Sequence, residues 1–139
     1  MSLKRSLRIL SQRFDFVIVE GVGGILVPFN KNSLIIDIVK DAGLPVLLVT
    51  QNKLGTINHI LLTVEALKQR KMRILGILFN NCTKEDKRIL EDNPRIVKLF
   101  SREEVFGVLP RITKYDRLYE TFRPMAQRIW KRITGLRKI

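Results

Sequence analysis

The chain is poor in the residues that build self-contained reactive centres. Among 139 residues there is one cysteine, Cys82, and one histidine, His59. A single cysteine excludes an internal disulfide and a cysteine-based zinc site, and it suits a reducing, cytoplasmic compartment. A single histidine without partners makes neither a catalytic triad nor a zinc site. No apolar run approaches the ~18 residues of a membrane span. The start, Met1-Ser2-Leu3-Lys4-Arg5, leads into a short amphipathic pattern and not into the apolar core of a signal peptide. No segment matches G-x-x-x-x-G-K-[ST], the loop that cradles nucleotide phosphates. Acidic residues are also scarce, 13 against 26 basic ones.

What is present suffices for a real core, since 45% of the residues are apolar. The length suits one domain spanning residues 1–139. The net charge of +13 is concentrated at the ends. Residues 1–13 hold four basic and no acidic residues, and residues 111–139 hold nine basic and two acidic. Such ends can attract nucleic acid or another polyanion. They can equally be the solvated faces of two amphipathic helices, or lie near nucleotide phosphates.

Apolar and polar segments alternate in a regular order. Leu3, Leu7, Ile9 and Leu10 read as the end of a helix. Phe14-Asp15-Phe16-Val17-Ile18-Val19 is β-branched and aromatic and predicts a buried strand ending at Glu20-Gly21. Asn32 or Ser33 can cap a helix running to about Ala42, closed by Gly43 and Pro45. Pro45-Val46-Leu47-Leu48-Val49-Thr50 predicts a second strand. Thr56 can cap a helix to about Lys71 with Ile57, Ile60, Leu61, Val64 and Leu67 on one stripe. Residues 72–79 predict a third strand, with Gly76 inside it. Asn93-Pro94 predicts the start of a helix or turn. Residues 105–109 predict a fourth strand, ended by Pro110, and 119–133 a last amphipathic helix. Uniformly apolar strands alternating with helices imply an α/β fold, a parallel sheet covered on both faces. Ligands of such sheets sit at the carboxyl ends of the strands, here 20–24, 50–58, 80–82 and 109–114.

Glu20 follows the first of these strands and precedes Gly21-Val22-Gly23-Gly24. A carboxylate there can ligate Mg2+ beside substrate phosphates, or it can be a solvated turn residue. The glycines allow close ligand approach or a positive φ; they do not form the dinucleotide pattern G-x-G-x-x-G. Gly55, Thr56, Ile57 and Asn58 open a helix whose free N–H groups favour an anion, unless Thr56 merely caps it. His59 reads as a packing or hydrogen-bonding residue, and Cys82 as inert. Lys53 lies near the same turn with no motif behind it. Asn80 ends a strand, and its amide can both donate to and accept from the edge of adenine, or hold its own turn.

Two segments carry a family resemblance. They are Val17-Ile18-Val19-Glu20-Gly21-Val22-Gly23-Gly24-Ile25-Leu26-Val27-Pro28 and Leu54-Gly55-Thr56-Ile57-Asn58-His59-Ile60-Leu61-Leu62-Thr63-Val64-Glu65-Ala66-Leu67. Together they resemble the dethiobiotin synthetase family, across most of residues 14–110. The second segment is the specific one. The E-G-x-G-G part is shared with cobalamin-synthesis amidotransferases and other phosphate-loop relatives. The resemblance implies a phosphate-loop NTPase-like fold lacking its N-terminal phosphate-loop unit, with the loop, its lysine and its metal-binding threonine lying before residue 1. It implies a ligase of biotin biosynthesis using ATP and Mg2+. In that reaction an amine of 7,8-diaminopelargonic acid captures CO2, ATP phosphorylates the carbamate, and the second amine closes the ring to dethiobiotin.

The resemblance also implies residue roles. Glu20 would ligate the metal. Gly23, Gly55, Thr56, Ile57 and Asn58 would bind the substrate. Asn80, Gly107, Leu109 and Pro110 would contact the nucleotide base. It implies a homodimer, or a partner carrying the phosphate loop, and little activity for this chain alone. The alternative expectation is a non-catalytic relative or split-enzyme subunit whose basic ends bind a polyanion such as nucleic acid.

Overall fold

A computed structural model describes residues 3–112 and 114–135. The chain forms two compact units, Met1–Leu44 and Pro45–Ile139.

In the first unit, helix α1 spans Leu3–Arg13, a short antiparallel hairpin joins β1 (Pro28–Asn30) to β2 (Ser33–Leu34), and helix α2 spans Ile35–Asp41. The strand expected at 14–19 does not form. Phe14 and Ile18 are 59% and 81% exposed. β-propensity describes the fit of a side chain to a pleated, half-buried surface and does not hold a strand by itself. Among the described residues no strand pairs with this segment, so its backbone stays irregular. The expected cap of α2 is also corrected. Asn32 sits in the hairpin turn, its N–H donating to Asn30 Oδ1 at 2.8 Å, and Ser33 belongs to β2. Leu34 precedes the helix, and its N–H is held instead by Asp37 Oδ2 at 2.9 Å. The helix ends as anticipated at Gly43, which takes φ 66°.

The second unit runs β3 (Val46–Gln51), α3 (Thr56–Gln69), β4 (Ile74–Asn80), α4 (Lys87–Ser101), β5 (Val105–Leu109) and α5 (Tyr115–Thr134). The strands are parallel in the order β3-β4-β5. The registers Gln51↔Asn80 and Asn80↔Leu109 bring the three carboxyl ends level. Each of these βαβ connections follows from the apolar–helical alternation of the sequence. Leu78, Phe106 and Ile129 form a core between sheet and α5, with Leu47, Leu109, Phe122, Met125 and Ile133 packed around it. Strand alternation turns Ile77 and Phe79 to the opposite face, the side of α3 and α4. Their apolar stripes bury Ile60, Val64, Leu67 and Val97.

Two helix starts differ from expectation. Asn93-Pro94 lies inside α4, whose N-cap is Asp86. α5 begins at Tyr115, one turn earlier than its apolar spacing suggested, and contains Pro124. A proline costs an interior helix one hydrogen bond. At exposed Pro124 water can serve the freed carbonyl. At Pro94 a side chain serves it, as described below.

Gly76 is required where it stands. Its φ is 152°, and a Cβ there would lie 2.5 Å from the Phe106 ring and 2.7 Å from the Glu104 carbonyl oxygen. Overpacking against backbone adds to the strain of positive φ, so Gly76→Ala is expected to cost about 2–4 kcal/mol. Urea unfolding of the two proteins measures it. A second expectation concerns Asp86. The Arg88 guanidinium, and then the Arg88 N–H at 2.8 Å, hold the Asp86 carboxyl below its ordinary 3.8. A depressed carboxyl stabilises the fold above its unfolded value, and the contribution is lost as pH falls through the folded one. The protection of the first-turn amides of α4, relative to their intrinsic exchange at each pH, should therefore fall as pH drops below 3.8, as hydrogen-exchange NMR would record.

Candidate active site

Three turns of the second unit open at the level carboxyl ends of the sheet. The first, between β3 and α3, is built around the Thr56 side chain. Thr56 is 2% exposed. Its hydroxyl donates to the Gln51 carbonyl at 2.6 Å and accepts from the Lys53 N–H at 3.4 Å. This corrects the expectation that Thr56 caps α3, and it commits the Thr56 O–H inside the turn. The N-cap is Gly55, at φ 86°, a left-handed conformation that glycine adopts without a Cβ penalty. The Thr56 N–H donates to the Lys53 carbonyl and the His59 N–H to that of Gly55. The N–H groups of Ile57 and Asn58 fall in the first turn, where no intrahelical acceptor exists. Asn58 and His59 are exposed beside them. The helix dipole adds partial positive charge, so this end suits a carboxylate.

The second turn follows β4. Asn80 is partly exposed, and its carbonyl accepts the Asn52 N–H at 2.9 Å. Asn81 was not singled out from the sequence. Its N–H donates to the Leu109 carbonyl at 2.9 Å, while its side-chain Oδ1 is buried with no hydrogen-bond partner among the described residues. A buried acceptor left unmet costs ~1–3 kcal/mol, so it marks a place for a donor. Adenine carries an exocyclic amine that donates. Asn80 and Asn81 stand in succession at the end of β4.

The third turn follows β5. Leu109 belongs half to the α5 core and half to this edge, through its carbonyl. Pro110 is exposed. Gly107 lies further back, at φ 155°, where a Cβ would meet Met125 at 2.8 Å. The structure gives this glycine a packing reason. Arg111, Ile112, Lys114 and Arg117 line a cavity of about 180 Å3 beyond Pro110. Thr113 lies outside the described residues.

Glu20 and Gly23 belong to the first unit. Glu20 is exposed in the irregular segment after Val19 and not at the end of a buried strand. Gly23 takes φ 77°. Among the described residues no group of three or more histidine, cysteine, aspartate or glutamate side chains could hold a metal. A lone carboxylate still fits Mg2+, which keeps waters and substrate phosphates as its other ligands. No helix of the described residues is long and apolar enough to cross a membrane.

Sequence reasoning also missed a buried asparagine pair. Asn52 is fully buried and Asn93 is 5% exposed. Asn93 Nδ2 donates to Asn52 Oδ1 at 2.9 Å and to the Lys53 carbonyl at 3.0 Å. Asn52 Nδ2 donates to the Leu90 carbonyl at 3.0 Å. That carbonyl stands four residues before Pro94, so it is the one that the proline leaves without a helical donor. The available signal was an Asn-Pro pair within an otherwise amphipathic helix.

Comparison with known proteins shows the family. The AAA-domain family matches residues 2–118. An ATP-dependent dethiobiotin synthetase of Thermodesulfovibrio yellowstonii is 40% identical over 127 residues, covering 84% of this chain and 53% of that protein. The synthetase of Chlorobaculum tepidum is 37% identical over 112 residues, covering 81% and 47%. The biotin biosynthesis bifunctional protein of Bordetella avium is 40% identical over 100 residues, covering 72% and 20%. The chain belongs to the dethiobiotin synthetase family. Its α/β sheet, open at the carboxyl ends, is of the phosphate-loop NTPase-like kind. The chain spans about half the length of the dethiobiotin synthetases it matches, and within that span it has no phosphate loop.

The committed hydroxyl of Thr56 yields a direct expectation. Thr56→Val removes the shorter of two hydroxyl donors to the Gln51 carbonyl, leaving the Thr50 hydroxyl at 3.3 Å, and should cost about 1–2 kcal/mol, whereas Thr56→Ser should cost less. Denaturant unfolding of the three proteins decides. Equal stability of Thr56→Val and wild type would return the hydroxyl to the list of ligand donors.

Proposed function

We propose that this chain supplies the substrate- and base-binding part of an ATP-dependent dethiobiotin synthetase. The reaction is the carboxylation and ring closure of 7,8-diaminopelargonic acid to dethiobiotin. The observation that carries the reading is the pairing of two turns at one sheet edge. One is a helix start suited to a carboxylate at residues 55–58, and the other is a pair of amides, Asn80 and Asn81, suited to adenine. The family relationship supports the substrate, and the orphaned acceptor of Asn81 supports the base.

The parts divide the work as follows. Gly55, Ile57 and Asn58 hold the substrate carboxylate on backbone N–H groups and the helix dipole, with Thr56 keeping the turn in shape. Asn80 and Asn81 orient the base, with Leu109 and Pro110 beside it. Glu20 is the carboxylate that would hold Mg2+, with Gly23 in the following turn, and a bound Mg2+ would neutralise charge on the transferring phosphoryl group. The phosphate-cradling loop must come from elsewhere in the enzyme, as a segment of the same protein or as a separate chain. By itself this chain should turn over little substrate. β3 and β5 are outer strands of the sheet, and Val49 on β3 is 60% exposed. An unpaired strand edge is a natural place for a completing partner or a second copy.

The test is to assay dethiobiotin formation with and without a phosphate-loop polypeptide of the family. Activity should appear only with both, and Glu20→Gln should abolish it with little loss of fold. Full activity of Glu20→Gln would remove this residue from the metal site. Turnover by the chain alone would overturn the division of labour.

A second reading has one observation behind it, the cavity lined by Arg111, Lys114 and Arg117. Further along α5 the charge is already engaged, since Arg128 bonds Glu104 and the Phe106 carbonyl at the other end of β5. If the chain binds nucleic acid there, affinity should fall steeply with salt and be lost in Arg111→Ala/Arg117→Ala. Binding indifferent to both would remove this reading.

A further inference from the structure

We propose that Asn93 is a positioning residue for the β3–α3 turn, and that Pro94 is placed to make this possible. The inference rests on the substrate role proposed above for residues 55–58, and it concerns residues outside that site. The Leu54–Gly55–Thr56 turn needs an unusual backbone, with Gly55 at φ 86°. From within the turn, Lys53 is held only by two long bonds to Thr56, its carbonyl accepting the Thr56 N–H at 3.2 Å and its N–H donating to the Thr56 hydroxyl at 3.4 Å, and a shorter bond comes from outside. Asn93 supplies it directly, through its 3.0 Å bond to the Lys53 carbonyl. It acts a second time through Asn52, whose oxygen it holds at 2.9 Å.

Asn52 is in turn the link to the neighbouring turn. Its backbone N–H donates to the Asn80 carbonyl at 2.9 Å, and its side-chain amide reaches the Leu90 carbonyl at 3.0 Å. Proline at 94 removes the N–H that would otherwise occupy Leu90 in a regular helix. One buried junction thus ties the helix start to the strand end that bears the asparagine amides. With Asn52 fully buried and Asn93 nearly so, water cannot replace the missing bonds if either side chain is removed.

The experiment uses the full chain and Asn93→Leu, which keeps volume and removes the donor. Val97→Ala, one turn along the same helix and fully buried, serves as the control of comparable instability. Two readouts are taken: amide hydrogen exchange of residues 53–58, and NMR titration with 7,8-diaminopelargonic acid and with Mg-ATP. Asn93→Leu should speed exchange of residues 53–58 at least tenfold beyond Val97→Ala and weaken the diamino acid at least tenfold. Exchange and affinity equal to those of Val97→Ala would overturn the proposal. Faster exchange with a wild type that binds neither probe would leave the positioning role standing and remove the substrate reading. If Asn93→Leu does not fold, Pro94→Ala restores a helical N–H that competes for Leu90. It should then speed exchange of residues 53–58 while α4 itself exchanges no faster, and unchanged exchange there would again overturn the proposal.

Discussion

The second unit depends on one strand having neighbours on both sides. β4 is buried at six of its seven residues, with β3 and β5 bonded to its two edges and helices packed on its faces. A strand so placed can be uniformly apolar, because no face meets water. Its carboxyl end is then the only part free to carry polar side chains, and Asn80 and Asn81 stand there. The same burial explains why Gly76 must be glycine: neighbouring strand and ring approach so closely that a methyl group has no room.

The site is a consequence of level strand ends. Registers that pair Gln51 with Asn80 and Asn80 with Leu109 bring three turns to one edge. What each turn offers follows from its backbone. The first presents helix N–H groups, the second two successive asparagines, and the third a proline followed by basic residues. None of these needs a titrating side chain. That agrees with a chain holding one histidine and one exposed cysteine, and with the positioning role proposed for it above. Asparagine recurs for a physical reason. It both donates and accepts, so it can join two backbone segments without bringing a charge into the interior.

Part of this was legible in the sequence. The order of strands and helices in residues 45–134 could be read because apolar period and burial agree there. β5 falls where residues 105–109 predicted it, and the buried stripe of α3 contains the expected Ile60, Val64 and Leu67. The errors share a cause. The strand expected at 14–19 has the composition of a buried strand but no pairing partner among the described residues, and composition cannot supply one. Asn93-Pro94 looked like a helix start because proline is excluded from most helix interiors. The exception required Asn52, forty-one residues away in sequence, at the Leu90 carbonyl. Thr56 looked like a cap because its type and place suited one, yet the carbonyl that takes its proton belongs to the preceding strand.

The sequence by itself determined the α/β class, the family, the turns at the carboxyl ends of β3, β4 and β5, and the absence of a phosphate loop within these residues. Each of these depends on local pattern or on a contiguous motif. Only the tertiary structure decided which polar side chains are free for a ligand and which are consumed in holding the turns. The Thr56 O–H and the side-chain amides of Asn52 and Asn93 are consumed, whereas the buried oxygen of Asn81 has no donor among the described residues. That distinction depends on partners distant in the chain, and hydrogen-bonding capacity is assigned only when those partners meet.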